Sequence, residues 1–158
     1  MIRKADATDI SRIAEIIVFG KRVAYRSMFR NDFVSFQEIQ VIHLIEAYRS
    51  NPLLIEQMLV YDDGIIKGVI NRKAVADSIE LCEFYVEPFF KGMGIGRKLI
   101  QYVIDEAKEA NVKRIFLWVI EENMPARRFY EANGFRKNGQ TCLIEGTSKT
   151  DMCYELML

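Results

Sequence analysis

Apolar positions along this chain recur in two periods, and the alternation between them lays out its elements. Ile10, Ile13, Ile16 and Ile17 fall at helical spacing behind Thr8, a cap candidate, which predicts a helix to about Gly20. Residues 21–34 mix basic and aromatic side chains without a period. Phe36, Ile39, Ile42 or His43, and Ala47 predict a second helix from Ser35 to about Arg49, stopped by Asn51-Pro52. Leu54–Tyr61 and Ile65–Val75 are β-rich runs joined by Asp62-Asp63-Gly64, a hairpin signal. A strand over Ile79–Val86 follows. Ile95, Leu99, Ile100, Val103, Ile104 and Ala107 return to helical spacing and predict a helix to about Ala110, with Asn111 as its stop. Arg114–Ile120 is nearly all apolar, the pattern of a strand buried on both faces. Asn123, Pro125 and Gly134 bracket a short helix, and Phe135–Ile144 and Asp151–Leu158 are the last strands. With a short strand over residues 1–5, the order is β-α-α-β-β-β-α-β-α-β-β. It predicts an α/β (α+β) fold with a mixed sheet.

The junction at Phe84–Lys98, FYVEPFFKGMGIGRK, carries the first chemical signal. Pro88 ends the strand, because proline cannot donate to a ladder. Gly92, Gly94 and Gly96 then lead into the helix at Ile95. A glycine turn at a helix start presents unpaired backbone N–H groups with the positive end of the dipole, which is an anion site. Glycines let a ligand approach the backbone closely. The spacing fails the Walker pattern, because Arg97 stands where Gly-Lys is needed. It also fails G-x-G-x-x-G, because Arg97 and Leu99 stand where the third glycine is needed in the two registers.

Composition narrows the partners. With 158 residues, one domain is expected. Half the residues are hydrophobic, enough for a full core, and 22 basic side chains balance 22 acidic ones. No net field favours nucleic acid or an anionic membrane. The first residues turn polar at once, which speaks against a signal peptide, and Ile16–Phe19 is too short to span a bilayer. Cys82, Cys142 and Cys153 form no C-x-x-C pair and point to reduced thiols in the cytoplasm. A single histidine, His43, among Val41, Ile42, Leu44 and Ile45, reads as structural. It leaves no histidine cluster for a metal.

Lys91–Gly96, KGMGIG, resembles the acetyl-CoA loop of the GNAT superfamily of N-acetyltransferases, Gln/Arg-x-x-Gly-x-Gly/Ala, with Lys91 in place of Gln or Arg. Asn123–Phe135, NMPARRFYEANGF, resembles a second GNAT motif at Asn123, Ala126, Phe129, Tyr130, Glu131, Gly134 and Phe135. Asn123, Arg127 and Tyr130 are spaced to share one helix face. The element order is also that of the GNAT fold: a mixed, mostly antiparallel sheet of six to seven strands flanked by about four helices, here one domain over residues 1–158.

Acyl transfer to an amine needs three things: a neutral amine, whose ammonium has a pKa near ~10, a donor to the oxyanion, and a proton for the leaving thiolate. The resemblance implies Tyr130 as the general acid on the CoA sulfur. It implies backbone contacts of Phe84, Tyr85 and Val86 to the pantetheine arm, with Asn123 on the same arm. Lys91, Gly92, Met93, Gly94, Ile95, Gly96 and Arg97 would hold the pyrophosphate. Arg97, Lys98 and Arg127 are further phosphate candidates. Some family branches carry a base at the position of Glu80. Glu83, three residues on, is expected on the opposite sheet face. Another branch's glutamate position is Trp118 here. Tyr25, Arg26 and Glu83 are candidate acceptor contacts. The expected activity is direct acetyl transfer from acetyl-CoA to a primary amine, small or on a protein, without metal, nucleic acid or membrane. A homodimer stays open, and the alternatives are a non-catalytic CoA-binding module and a different acyl-CoA donor.

Overall fold

The computed structural model describes residues 1–158. Seven strands form one sheet: β1 (Ile2–Lys4), β2 (Met58–Asp62), β3 (Ile66–Val75), β4 (Ser78–Val86), β5 (Arg114–Ile120), β6 (Arg136–Leu143) and β7 (Thr150–Met157). Their order is β1-β2-β3-β4-β5-β7-β6. Neighbours β1·β2, β2·β3, β5·β7 and β6·β7 run antiparallel, and β4·β5 runs parallel. The helices are α1 (Ile10–Phe29), α2 (Val41–Ser50), α3 (Ile95–Glu109) and α4 (Met124–Ala132). The element order matches that read from the sequence. The chain divides into two compact units, one of Met1–Asn71 with Glu83–Leu99 and one of Arg72–Cys82 with Ile100–Leu158.

In the first unit, Ile13, Ile16 and Ile17 of α1 share a buried cluster with Met58, Val60, Val69 and Tyr48. Burying side chains of this size stabilises by about 1.5–3 kcal/mol each before entropy is counted. Asp62 Oδ1 accepts from the Gly64 N–H at 2.9 Å, and Gly64 takes φ +101°, so the Asp-Gly hairpin forms as its residues dictate. Thr8 does not cap α1: a single 3-10 turn over Ala7–Asp9 precedes the helix and is capped by Asp6, which accepts from the Thr8 N–H at 2.8 Å while Asp9 accepts from the Asp6 N–H, and α1 itself starts behind Asp9 with no side-chain cap bond.

Helix α1 does not stop at Gly20. It runs to Phe29 and ends where Arg30 enters the left-handed region. Gly20 is there because the Tyr85 ring packs on it: a Cβ added at Gly20 would lie 2.5 Å from Tyr85 Cδ1. The expected second helix is broken as well. Val34–Glu38 forms a separate wide turn, Gln40 is extended, and α2 begins at Val41. Arg22 supplies the reason, because its guanidinium donates to the carbonyls of Ser35 and Ile39, both at 2.9 Å. Those carbonyls need no helical partner. Leu44, Ile45 and Tyr48 therefore form the inward face of α2, while Phe36, Ile42, His43 and Ala47 are exposed. Leu54 belongs to a single turn over Pro52–Leu54 and β2 starts at Met58.

In the second unit, β5 is the central strand. It alternates rather than being buried on both faces: Ile115, Leu117 and Val119 are inside, whereas Trp118 is 38% exposed. Arg72 at the start of this unit pairs with Glu106 of α3. Asn111 takes φ +56° just after α3, as its position predicts. Phe135 and Tyr154 are fully buried.

Candidate functional site

The first unit holds the strand, the glycine loop and the start of α3. Pro88–Phe90 makes one tight turn after β4, and Gly92 and Gly94 follow at φ +80° and +75°. A Cβ at either glycine would meet nothing within 4 Å. Backbone conformation, not internal packing, demands glycine there, and the space outside the loop is open. The Lys98 N–H is bonded to the Gly94 carbonyl at 3.0 Å, so the N–H groups of Ile95, Gly96 and Arg97 make up the first turn of α3. Lys91, Met93 and Arg97 are exposed beside them. Lys98 instead covers the Tyr61 ring at 5.3 Å. The loop is anchored from below. Glu87, only 4% exposed, pairs with Arg12 at 2.9 Å, and its N–H bonds the Lys67 carbonyl at 2.9 Å. Arg12 also donates to the Ile66 carbonyl at 3.0 Å.

One residue upstream of Phe84, the Glu83 carboxylate pairs with Lys21 Nζ of α1 at 2.9 Å. The hydroxyls of Tyr25 and Tyr85 lie 3.0 Å apart. Lys21 and Tyr25 are one helical turn apart, so α1 turns both toward β4. Tyr48 is buried in the same core, and its phenol is pushed up first by burial and then by the Glu83 charge. Glu83, Tyr25 and Tyr85 are thus gathered on the α1 side of β4. Arg26 is elsewhere: it pairs with Asp32 at 2.8 Å and lies over the Phe36 ring at 5.5 Å.

The second unit holds Glu80, Asn123 and Tyr130. Asn123 caps α4, its Oδ1 accepting from the Ala126 N–H at 3.3 Å. The Tyr130 ring meets Phe129 and Phe135 edge-on, with centroids 5.5 Å and 5.9 Å away. Next to it, Glu131 accepts from the Tyr154 hydroxyl at 2.8 Å, while Arg127 Nε donates to the same hydroxyl at 3.1 Å. Arg127 also donates to the Glu121 carbonyl at 2.7 Å. Arg127, read from the sequence as a further phosphate candidate, therefore has its guanidinium committed to the joint between α4 and β7. Glu80 is half-buried and faces Phe116 across the β4·β5 ladder, and Phe116 in turn faces Glu155 of β7. Tyr154 adjoins Glu155, so it points to the other face. Within this unit Glu80 and α4 lie on opposite faces of the sheet.

The family model described as the acetyltransferase (GNAT) family matches residues 22–135, well over half of the sequence. The chain belongs to the GNAT family. A relative from Archaeoglobus fulgidus named an uncharacterized N-acetyltransferase is 41% identical over 70 residues, 44% of this chain and 46% of its own length. This GNAT chain thus spans less than half of that relative. The spermidine N(1)-acetyltransferase of Thermoplasma acidophilum is 22% identical over 98% of this chain and 94% of its own. Among solved structures, an N-acetyltransferase from Thermoplasma acidophilum in complex with coenzyme A superposes with a TM-score of 0.75 at 21% identity, covering 100% of this chain and 98% of that one.

Several residues around this candidate site carry no sequence signal. Lys21 lies in the stretch that has no period, and only the extension of α1 brings it to Glu83. Arg12 reads as an ordinary helix cation, and its role depends on a buried partner. Glu87, at a strand end before a proline, reads as an ordinary turn acid, and its burial also depends on meeting Arg12. No helix in the structure is long and apolar enough to cross a membrane.

Proposed function

We propose that this GNAT domain, one domain over residues 1–158, transfers an acetyl group from acetyl-CoA to a primary amine by direct attack in a ternary complex. The observation that carries the reading is the loop at Lys91–Arg97: two left-handed glycines with open space outside them, at the start of α3. That is a backbone site for a pyrophosphate. Lys91, Gly92, Met93, Gly94, Ile95, Gly96 and Arg97 would hold it. The backbone of Phe84, Tyr85 and Val86 would pair with the pantetheine arm, and an N–H of that stretch would receive the oxyanion. Asn123 would reach the same arm through its amide nitrogen, since its oxygen is the cap. Tyr130 would protonate the leaving sulfur. Glu80 would take the amine proton, directly or through water. Glu83 and Tyr25 would contact the acceptor, and the Thermoplasma relative's name makes a polyamine the first acceptor to try.

The test is an amine panel of polyamines, aminoglycosides, small amines and peptide N-termini, with thiol release as the readout. CoA-induced thermal stabilisation is measured alongside. Thiol release with at least one amine is expected. Stabilisation without any release would leave a binding module, and release only with longer acyl-CoA donors would move the donor assignment. Glu80→Gln should cost most at neutral pH and less at high pH, where free amine is already abundant. An equal loss at every pH removes Glu80 as the base.

A further inference from the structure

The acceptor side of β4 already contains a primary amine. Lys21 Nζ sits 2.9 Å from Glu83 Oε1, and both side chains are about three-quarters buried, at 27% and 25% exposed. Tyr25 is one helical turn from Lys21 and Tyr85 two residues from Glu83, with their hydroxyls 3.0 Å apart, and the Glu83 charge reaches the buried Tyr48. Lys21 is held on a long, packed helix, and Glu83 directly precedes the strand residues Phe84–Val86. An alkyl ammonium on a carboxylate, flanked by tyrosine rings and next to the backbone assigned to the thioester, is what a bound acceptor would look like. An exposed surface lysine has none of these features. Lys149 and Lys67 are also paired and are themselves 23% and 16% exposed, but their carboxylate partners Glu122 and Asp63 are more open than Glu83, at 49% and 39% exposed.

We infer that Lys21 is a self-acetylation site, its side chain standing in the acceptor position of its own domain. This rests on the transferase reading above. The Lys21 ammonium gives a proton to Glu83, which passes it to water. The freed nitrogen bonds to the acetyl carbon, the carbon–sulfur bond breaks, and the nitrogen's second proton passes to the sulfur, which leaves as CoA thiol. One acetyl-CoA is consumed per chain. The ion pair favours the charged amine, so the step is slow compared with turnover of a free acceptor. Once acetylated, Lys21 no longer neutralises Glu83, whose charge becomes available to a cationic acceptor.

The experiment is incubation of the full chain with acetyl-CoA and no acceptor, followed by intact-mass measurement and peptide mapping. Lys21 should be acetylated about tenfold faster than any other lysine, because its amine is already positioned. The rate constant should not change over a hundredfold dilution of protein. Lys21→Arg should remove the fast phase, and Gly94→Glu should lower Lys21 to the level of the surface lysines. An unmodified Lys21, one acetylated no faster than Lys149 or Lys67, or a rate that scales with protein concentration overturns the inference. The amine panel separates this from failure of the transferase reading, because thiol release with added amines beside an unmodified Lys21 refutes the self-acetylation alone.

Discussion

The glycine loop and helix α4 both stand out in the sequence, and the structure shows that they stand out for opposite reasons. The loop is defined by missing side chains. Gly92 and Gly94 are exposed, carry left-handed backbone, and touch nothing where a Cβ would be. Helix α4 is defined by side chains that hold it in place. Asn123 caps it, Glu131 and Arg127 grip Tyr154, Gly134 takes φ +92° just after it, and Phe135 is fully buried. Most of the longer motif is therefore folding information, and Tyr130 is the member to which we propose a chemical role. The shorter motif carries little packing information, only the backbone demand of its two left-handed glycines, which fits the ligand role proposed for it. Substitutions at the loop glycines should damage binding far more than stability, which loses only the strain of a left-handed non-glycine residue, and most substitutions around α4 should do the reverse.

The largest effect expected from this contrast is that of Gly94→Glu. Its carboxylate would face phosphate oxygens, and such like-charge approach costs several kcal/mol, so CoA affinity should fall by about 10²–10³. The apo protein should lose only the strain of one left-handed non-glycine residue, about 1–2 kcal/mol, and stay folded. A mutant still stabilised by CoA to the wild-type extent, seen by thermal shift, would take the phosphate away from this loop. Phe135→Ala tests the other half. Removing a fully buried ring should cost about 3–5 kcal/mol in chemical denaturation, while the folded fraction keeps its CoA affinity. Weak binding with unchanged stability would invert the comparison.

Tyr130→Phe is the exception inside α4 and should sharpen the contrast. It keeps the ring contacts with Phe129 and Phe135 and removes only the hydroxyl. Turnover should fall by about 10–10³ with stability and CoA affinity held, measured where chemistry limits the rate. Full turnover would remove Tyr130 from the mechanism, and a raised acceptor KM at constant kcat would make it a positioning group. The smallest effect belongs to Asn123, where the two kinds of information meet. Asn123→Ala should lose about 1 kcal/mol with the cap. Asn123→Asp keeps the cap oxygen, so it should hold that stability and weaken CoA only a few-fold. If Asp and Ala destabilise equally, the cap assignment fails.

Much of this molecule was legible from local pattern. The element order, the Asp-Gly hairpin, the span of β5, the stop of α3 at Asn111 and the cap at Asn123 all follow from period, turn chemistry and capping. Each depends on residues within one or two turns of each other. The glycine loop was legible for the same reason, because backbone conformation at Gly92 and Gly94 is a local property. Tertiary structure decided what depended on a distant partner. Gly20 read as a helix end until Tyr85 was found against it. The second helix read as continuous because nothing near Ser35 or Ile39 announces that Arg22 will take their carbonyls. Lys21 and Arg12 became part of the site only by meeting Glu83 and Glu87. A cation's role is set by which carboxylate the fold brings within 3 Å of it, and neighbours in sequence carry no record of that.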